Sequence, residues 1–436
     1  MNRIALTAAC AVLATASAIA ADPATIDWSK VPSTKVTLLY PGQSTYEWLL
    51  TDHKSTKEKA SKGKEAVERG QTCVKCHEDE EKQLGENLVK AGPIEPAAIE
   101  DKSGHLDLTV QAAYDATNAY LRFQWKTHGA AGIEYPYYRF DGKEWKVYGA
   151  PRLDKEVRDG KQPAIYEDRM SIMLDDGKVP LFSKQGCWLT CHDGERDTAK
   201  PATKEDAAAN PLLAAIKKTD VRKYLPATRT DPSDWRTGKP LEEIAKIKAA
   251  GGFLDLIQWR AHRSNPVGMA DDGYVLEYRN FDEGKNPFAS NLDSATKQPK
   301  FMFDAKKFGD KAVTAEQVFK KENFLIKDTN AVPFDPAAGW KEGDMLPRYV
   351  LSAADASGSA ADNKAIGSWK DGTWTVVVIR PLGLANGDDK ALKEGGVYHV
   401  GFAVHDDNVT TRGHYVSFPM TLGIGAKAAI SAVKLP

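Results

Sequence analysis

Near the middle of the chain, Cys187-Trp-Leu-Thr-Cys191-His192 puts a histidine directly after the second of two cysteines. This is the arrangement that tethers a haem: the sulfurs add to the two vinyl groups and the histidine lies under the iron. A chain that holds such a group must fold around it, so the motif constrains the architecture more than composition does. Its spacing is one residue longer than the usual C-x-x-C-H. A second copy, Cys73-Val-Lys-Cys76-His77, has the regular spacing. The pair predicts two covalently bound haem c groups, with Cys73, Cys76, Cys187 and Cys191 as thioether sulfurs and His77 and His192 as proximal iron ligands.

Cysteine pairs have two other common uses. Disulfides Cys73–Cys76 and Cys187–Cys191 suit an exported protein, but loops so short gain little from cross-linking. A shared zinc site would need two distant pairs to converge. Neither explains the histidine after each pair. The fifth cysteine, Cys10, falls in a leader: Arg3 is a short positive region, Ile4 to Ile19 is apolar, and Ala18-Ile-Ala20 is a small-x-small cleavage site. Residues 1–21 are thus expected to be a signal peptide, with the mature protein in a bacterial periplasm and without a membrane span. Loss of Arg3 takes the cations from 59 to 58 against 60 carboxylates, a formal charge of −2. That balance argues against nucleic acid or an anionic membrane surface as partner.

The first motif lies between two helical stretches, a lysine- and glutamate-rich one over 55–69 and an acidic one from Glu78 to about Lys90. Residues 22–102 are therefore expected to form a small N-terminal cytochrome c-like module. From Leu106 the apolar period changes to two. Strands are expected at Leu106–Tyr114, through Leu121, Phe123 and Trp125, at Tyr135–Phe140, Trp145–Tyr148, Ser171–Leu174, Thr373–Ile379, Val397–Val404 and His414–Leu422. Short alternating strands split by turn residues mean an antiparallel sandwich or barrel, so 103–436 is expected to be one mainly β domain. Two polar insertions interrupt it. Residues 194–250 should hold helices at Pro211–Ile216 and Leu241–Ala250, and 280–345 should be largely loop.

Two haems take up to four axial ligands. His53, in the same small module, is the distal candidate for the first haem. His405 is a candidate on either haem, His399 reads as a packed core residue, and His105 and His128 read as surface. Arg260 and Arg263 are candidates for the haem propionates, since guanidinium pairs with carboxylate in bidentate fashion, and His262 is a weaker one. Asp271-Asp272-Gly273 and Asp406-Asp407 carry carboxylates that calcium takes, although solvated turns have the same composition.

Four segments, Val110–Trp125, Phe182–His192, Asp255–Pro266 and Phe402 to Ser417, resemble the haem-binding domain of ethylbenzene dehydrogenase gamma subunits and related cytochromes, over roughly residues 103–430. The resemblance implies a β-sandwich of the carbohydrate-binding-module-9/DOMON type. Gamma subunits hold haem b between methionine and lysine; here Cys187, Cys191 and His192 stand where the methionine-bearing segment falls. The family lysine lies three residues before a serine, and by position it matches His414 before Ser417. The resemblance thus implies His414 as distal ligand of the second haem, with His405 as its alternative. It implies electron transfer between redox partners such as a membrane quinol-oxidising cytochrome, a periplasmic oxidoreductase or a molybdenum dehydrogenase. A haem enzyme with one open iron position, a peroxidase or small nitrogen-oxide reductase, is the rival expectation.

Overall fold

A computed structural model of the chain describes residues 22–40, 66, 69–90, 99, 102–196, 198, 201–320, 322–384, 386–410 and 413–436. The architecture is mainly β, as the period-two stretches require. Nine strands carry the frame: β1 (Ser33–Leu39), β2 (His105–Tyr114), β3 (Asn118–Lys126), β4 (Arg169–Asp175), β5 (Leu254–Arg260), β6 (Lys364–Lys370), β7 (Thr373–Pro381), β8 (Val397–His405) and β9 (Tyr415–Ser417). They pair antiparallel in the order β6-β7-β3-β2-β1-β9-β8-β4-β5, and short strands at Gly273–Val275 and Arg279–Phe281 extend the β5 edge.

This sheet is folded on itself. Phe123 on β3 and Phe402 on β8 are four strands apart along the hydrogen-bonding path, which is about 19 Å in a flat sheet. Their ring centroids are 5.5 Å apart. Trp259 on β5 similarly meets Trp374 on β7 at 4.8 Å. The two faces enclose one core, in which Leu108, Val110 and Phe123 oppose Ile172, Trp259 and Val404. The seam between the layers is narrow: among the described residues β1 and β9 share the pairs Leu38–Ser417 and Leu39–Val416. This is the sandwich solution to burying two one-sided sheets.

β1 pairs without a break from Ser33–Gln111 to Leu39–His105, so this part of the segment assigned to the N-terminal module is a strand of the large sheet. The first motif follows as a short helix, α1 (Val74–His77), and then α2 (Glu81–Lys90) lies on the sheet. Contact there is backbone to backbone: a Cβ on Gly85 would stand 1.9 Å from the Gly104 carbonyl oxygen. Glu86 fastens the helix by accepting from the Gly104 N–H at 3.0 Å and meeting His105 Nδ1 at 3.1 Å. His105, expected at the surface, is therefore a half-buried tie. His128 is exposed as expected, and His399 is half-buried rather than packed in the core, because its side of β8 is the outer one.

The 194–250 insertion holds helices at Lys204–Ala209, Pro211–Ala215 and Leu241–Ala249. Residues 280–345 contain more order than expected, with three-residue ladders Phe288–Ser290 on Tyr349–Leu351 and Phe301–Phe303 on Ala331–Pro333. A separate small core around Phe303, Val313, Leu325 and Met345 supports them. Among the described residues no helix is long and apolar enough to cross a membrane.

Candidate haem site

Strand alternation decides which residues reach the site. Met170, Ile172 and Leu174 of β4, Ile257 and Trp259 of β5, and Val400, Phe402 and Val404 of β8 point into the sandwich core. Their neighbours Arg169, Ser171, Met173, Leu256, Gln258, Arg260, Ala403 and His405 therefore point outward, and register sets them side by side: Arg169 opposes both His405 and Arg260, and Met173 opposes Leu256. This outer face is not given to solvent. A second apolar cluster, with Cys187, Trp188, Leu189, Leu212 and Phe253, covers one end of it. The other end opens into a cavity of about 640 Å³, within the roughly 300–1,000 Å³ of cofactor sites.

The second motif sits at the junction of cluster and cavity. α3 (Phe182–Gln185) ends at Gly186, and a tight turn over Gly186–Thr190 carries Cys187 onto β8. Gly401 makes the approach possible, since a Cβ there would stand 2.5 Å from Cys187 Sγ. Trp188 Nε1 donates to the Ser417 carbonyl oxygen at 3.2 Å, tying the turn to β9. Burial pushes the Cys187 thiol up to about 12. Cys191 is buried too, and the Lys223 ammonium lies 2.9 Å from its sulfur. All four motif cysteines are free thiols, so the disulfide alternative is not what the geometry shows.

Of the candidate ligands, the structure brings His405 and His414 to the cavity together. Their rings stack in parallel, with centroids 4.6 Å apart and a 9° interplanar angle. Burial, then the nearby His414 and Arg169, holds His405 well below the usual imidazole range, which keeps it neutral. Its Nδ1 is buried without a hydrogen-bond partner. A neutral imidazole with an unused nitrogen is what a metal ligand requires. His192 is buried but turned elsewhere: its ring stacks on Tyr224 at 3.8 Å and its Nε2 lies 3.0 Å from the Tyr224 carbonyl oxygen. His53 lies outside the described residues.

The cavity wall is strongly cationic. Arg260 and Arg263, the expected propionate partners, both line it, but each is also engaged inside the protein. Arg260 binds Asp271 through Nε and Nη2, and Arg263 Nε donates to Glu167 at 2.6 Å. His262 does not line the cavity; it is buried beside Glu134, and burial brings it down to about 4. Arg169, which sequence reasoning missed, is the better placed guanidinium: its Nε and Nη2 are buried without hydrogen-bond partners. The signal was the same alternation that places His405, had β4 been extended two residues back from Ser171. Glu167 registers the potential here. Burial alone would raise its carboxyl, yet Arg263, Arg169 and Arg260 hold it at about 2. A porphyrin with two carboxylates and a ligand-seeking iron fits these orphaned N–H groups, the unused imidazole nitrogen and the thiol beside them.

The first motif meets the same cluster. Cys73 and Val74 of that motif and Leu84 of α2 pack against the cluster that contains Cys187. Cys76 is exposed, and His77 Nδ1 lies 3.1 Å from the Glu80 carboxylate. Burial raises the Cys73 thiol to about 11.

Two named cytochromes are similar to this chain. Cytochrome c-552 of Stutzerimonas stutzeri is 29% identical over 421 residues, covering 96% of this chain and 94% of that protein. Cytochrome c-551 of Rhodocyclus tenuis is 26% identical over 228 residues, 52% of this chain and 73% of its own length. The ethylbenzene dehydrogenase family model matches residues 25–417, a span that takes in both cysteine motifs, the sheet and the cavity-lining histidines. The chain belongs to the ethylbenzene dehydrogenase family.

Proposed function

We propose that this chain is a c-type cytochrome with two covalently bound haem c groups, passing electrons between redox partners in the periplasm. The observation that carries the reading is the meeting of both cysteine–histidine motifs on one apolar cluster, beside a cationic cavity lined by Cys187, His405 and His414. The names of the two similar cytochromes support it. Cys73 and Cys76 would hold one group and Cys187 and Cys191 the other, with His77 and His192 as proximal ligands. His414 is our distal ligand for the second group, His405 its alternative, and His53 our distal ligand for the first. Iron held between two imidazoles supplies a one-electron couple without an open position, at a lower potential than histidine–methionine ligation gives.

The chain's own residues do the rest. Arg169, Arg260 and Arg263 neutralise propionate charge, and the cluster around Trp188 and Leu189 keeps water from the motif. For His192 to serve, its Nε2 must exchange the Tyr224 carbonyl for iron. In this reading residues 69–90 carry the first haem, and 103–436 with β1 the second. A membrane quinol-oxidising cytochrome and a periplasmic oxidoreductase are the partner classes this reading implies.

The secreted full-length protein should carry two haems per chain by pyridine haemochrome against protein mass. Both should be low-spin ferric at rest by low-temperature electron paramagnetic resonance. One haem per chain would remove the diheme reading, and a high-spin ferric signal at rest would favour an enzyme with an open iron. His414→Ala should convert one low-spin signal to high-spin, whereas His405→Ala should leave both. The reverse pattern would transfer the ligand role to His405.

A further inference from the structure

The cavity carries more positive charge than a haem takes up. Among its described lining residues nine bear cationic side chains and two, Asp154 and Glu195, bear carboxylates. Behind the wall, Asp271 pairs with Arg260 and Glu167 with Arg263, and Asp220 lies 2.8 Å from Arg222 Nε. The cations still outnumber these carboxylates by nine to five. Two haem propionates would leave the balance positive. The chain as a whole is formally −1, so this is a local inversion of its charge.

Part of the surplus stands where the cavity opens. Arg196 and Arg222 line the cavity yet keep 53% and 36% of their side chains in solvent, which places them at its mouth. A bridge between Glu195 and Val221 sets them side by side, and both face the single Asp220 carboxylate. Tyr278 donates to that carboxylate through its hydroxyl, and Lys218 Nζ lies over its ring, 4.7 Å from the centroid. The next residue, Arg279, holds its guanidinium 4.3 Å from the centroid of Phe281. Phe281 also lines the cavity, and it is 47% exposed. An exposed aromatic ring among guanidinium groups has the composition of a protein–protein contact, where aromatic residues and arginine are enriched. His405 and His414 line the same cavity, so a protein seated on the mouth would cover the way to the second haem.

We propose that this mouth is the docking surface for a redox protein with an acidic face. Arg196, Lys218, Arg222 and Arg279 meet the partner's carboxylates, and Phe281 packs against its apolar centre. The proposal rests on the electron-transfer reading and adds the charge of the partner and the place where it lands. Complementary charge of this kind raises the rate of encounter more than the affinity, and salt screens it.

The full-length holoprotein is mixed in a stopped-flow apparatus with flavodoxin hydroquinone, an acidic protein that gives up one electron to a ferric iron and becomes the semiquinone. The second-order rate should fall as salt rises from about 10 mM to about 150 mM, over which the screening length shrinks from about 30 Å to about 8 Å. Arg196→Glu combined with Lys218→Glu should slow it about tenfold or more at low salt and leave haem content and spin state unchanged. Phe281→Ser should slow it at both salt concentrations. Should the double variant fail to fold, Arg196→Gln alone should give a smaller loss with the same salt dependence. A rate indifferent to salt and to charge reversal, in a protein that carries two low-spin haems, overturns the proposal and leaves the electron-transfer reading standing. A chain without haem overturns both. Saturable inhibition by inorganic phosphate at constant ionic strength, with no effect of Phe281→Ser, assigns the cations to a small oxyanion and also overturns the proposal.

Discussion

Replacing Glu167 by glutamine should lower the unfolding free energy by about 3–5 kcal/mol, the cost of breaking a buried ion pair by removing one partner. Glu167 has no solvent exposure. It accepts from Arg263 Nε at 2.6 Å and from the backbone N–H groups of His262 and Arg263 at 3.0 and 2.9 Å. Arg169 Nε stands 3.6 Å away and Arg260 Nη1 4.0 Å. One anion therefore keeps three guanidinium groups together at the cavity wall. Burial opposes its charge, but the arginines bring the carboxyl from its ordinary 4.5 to about 2, a difference on the order of 3 kcal/mol. The pH sign follows. Because the folded value is depressed, this stability is fully present above the ordinary glutamate range and is lost as pH falls through about 2. Urea unfolding of the wild type should weaken between about pH 4.5 and about pH 2, and Glu167→Gln should lack that component. A glutamine variant as stable as the wild type would mean that the arginines find their counter-charge elsewhere.

That the strands were legible and the charged wall was not has one cause. Residues such as Leu108, Val110 and Phe123 alternate with less buried neighbours, and such a pattern announces a one-sided strand. β5 carries Asp255, Gln258 and Arg260 among Leu254, Leu256, Ile257 and Trp259, yet all seven are buried. Asp255 on one side and Arg260 on the other read as solvated until Arg380 and Asp271 are known to sit across from them. Pairs so distant in sequence leave no local trace. β6 was missed for the opposite reason: its outer residues are exposed and its pattern is diluted by Gly367, whose missing side chain admits Trp259, 2.4 Å from where a Cβ would stand. The segment expected as one strand from His414 to Leu422 is two, β9 and Met420–Ile424, broken before Met420 at Pro419. The cysteine motifs needed no tertiary information, because spacing within seven residues or fewer is a chemical statement in itself. The cavity histidines needed the resemblance, since a lone histidine in a strand says nothing about what covers its face.

Gly401→Val should cost one of the two low-spin haem signals together with about 1–3 kcal/mol of stability, the range for an overpacked core. Gly401 is in register with Met173 at the middle of β8, where any side chain points outward toward the second motif. A Cβ there would stand 2.5 Å from Cys187 Sγ and 3.2 Å from the Cys187 backbone nitrogen. The nitrogen belongs to a turn tied to β9 through Trp188 and cannot slide without giving up that bond. Valine therefore forces the turn off the sheet and takes the Cys187 sulfur away from the wall that carries His405 and His414. If the sulfur anchors a porphyrin there, displacement separates the iron from its imidazole and the signal becomes high-spin. If Cys187 is only a packed thiol, the same variant loses stability while both low-spin signals persist. Gly401→Ala separates the two further, because a single methyl demands a smaller shift: partial conversion to high spin, graded with side-chain size, is expected only when position along the turn sets the ligation.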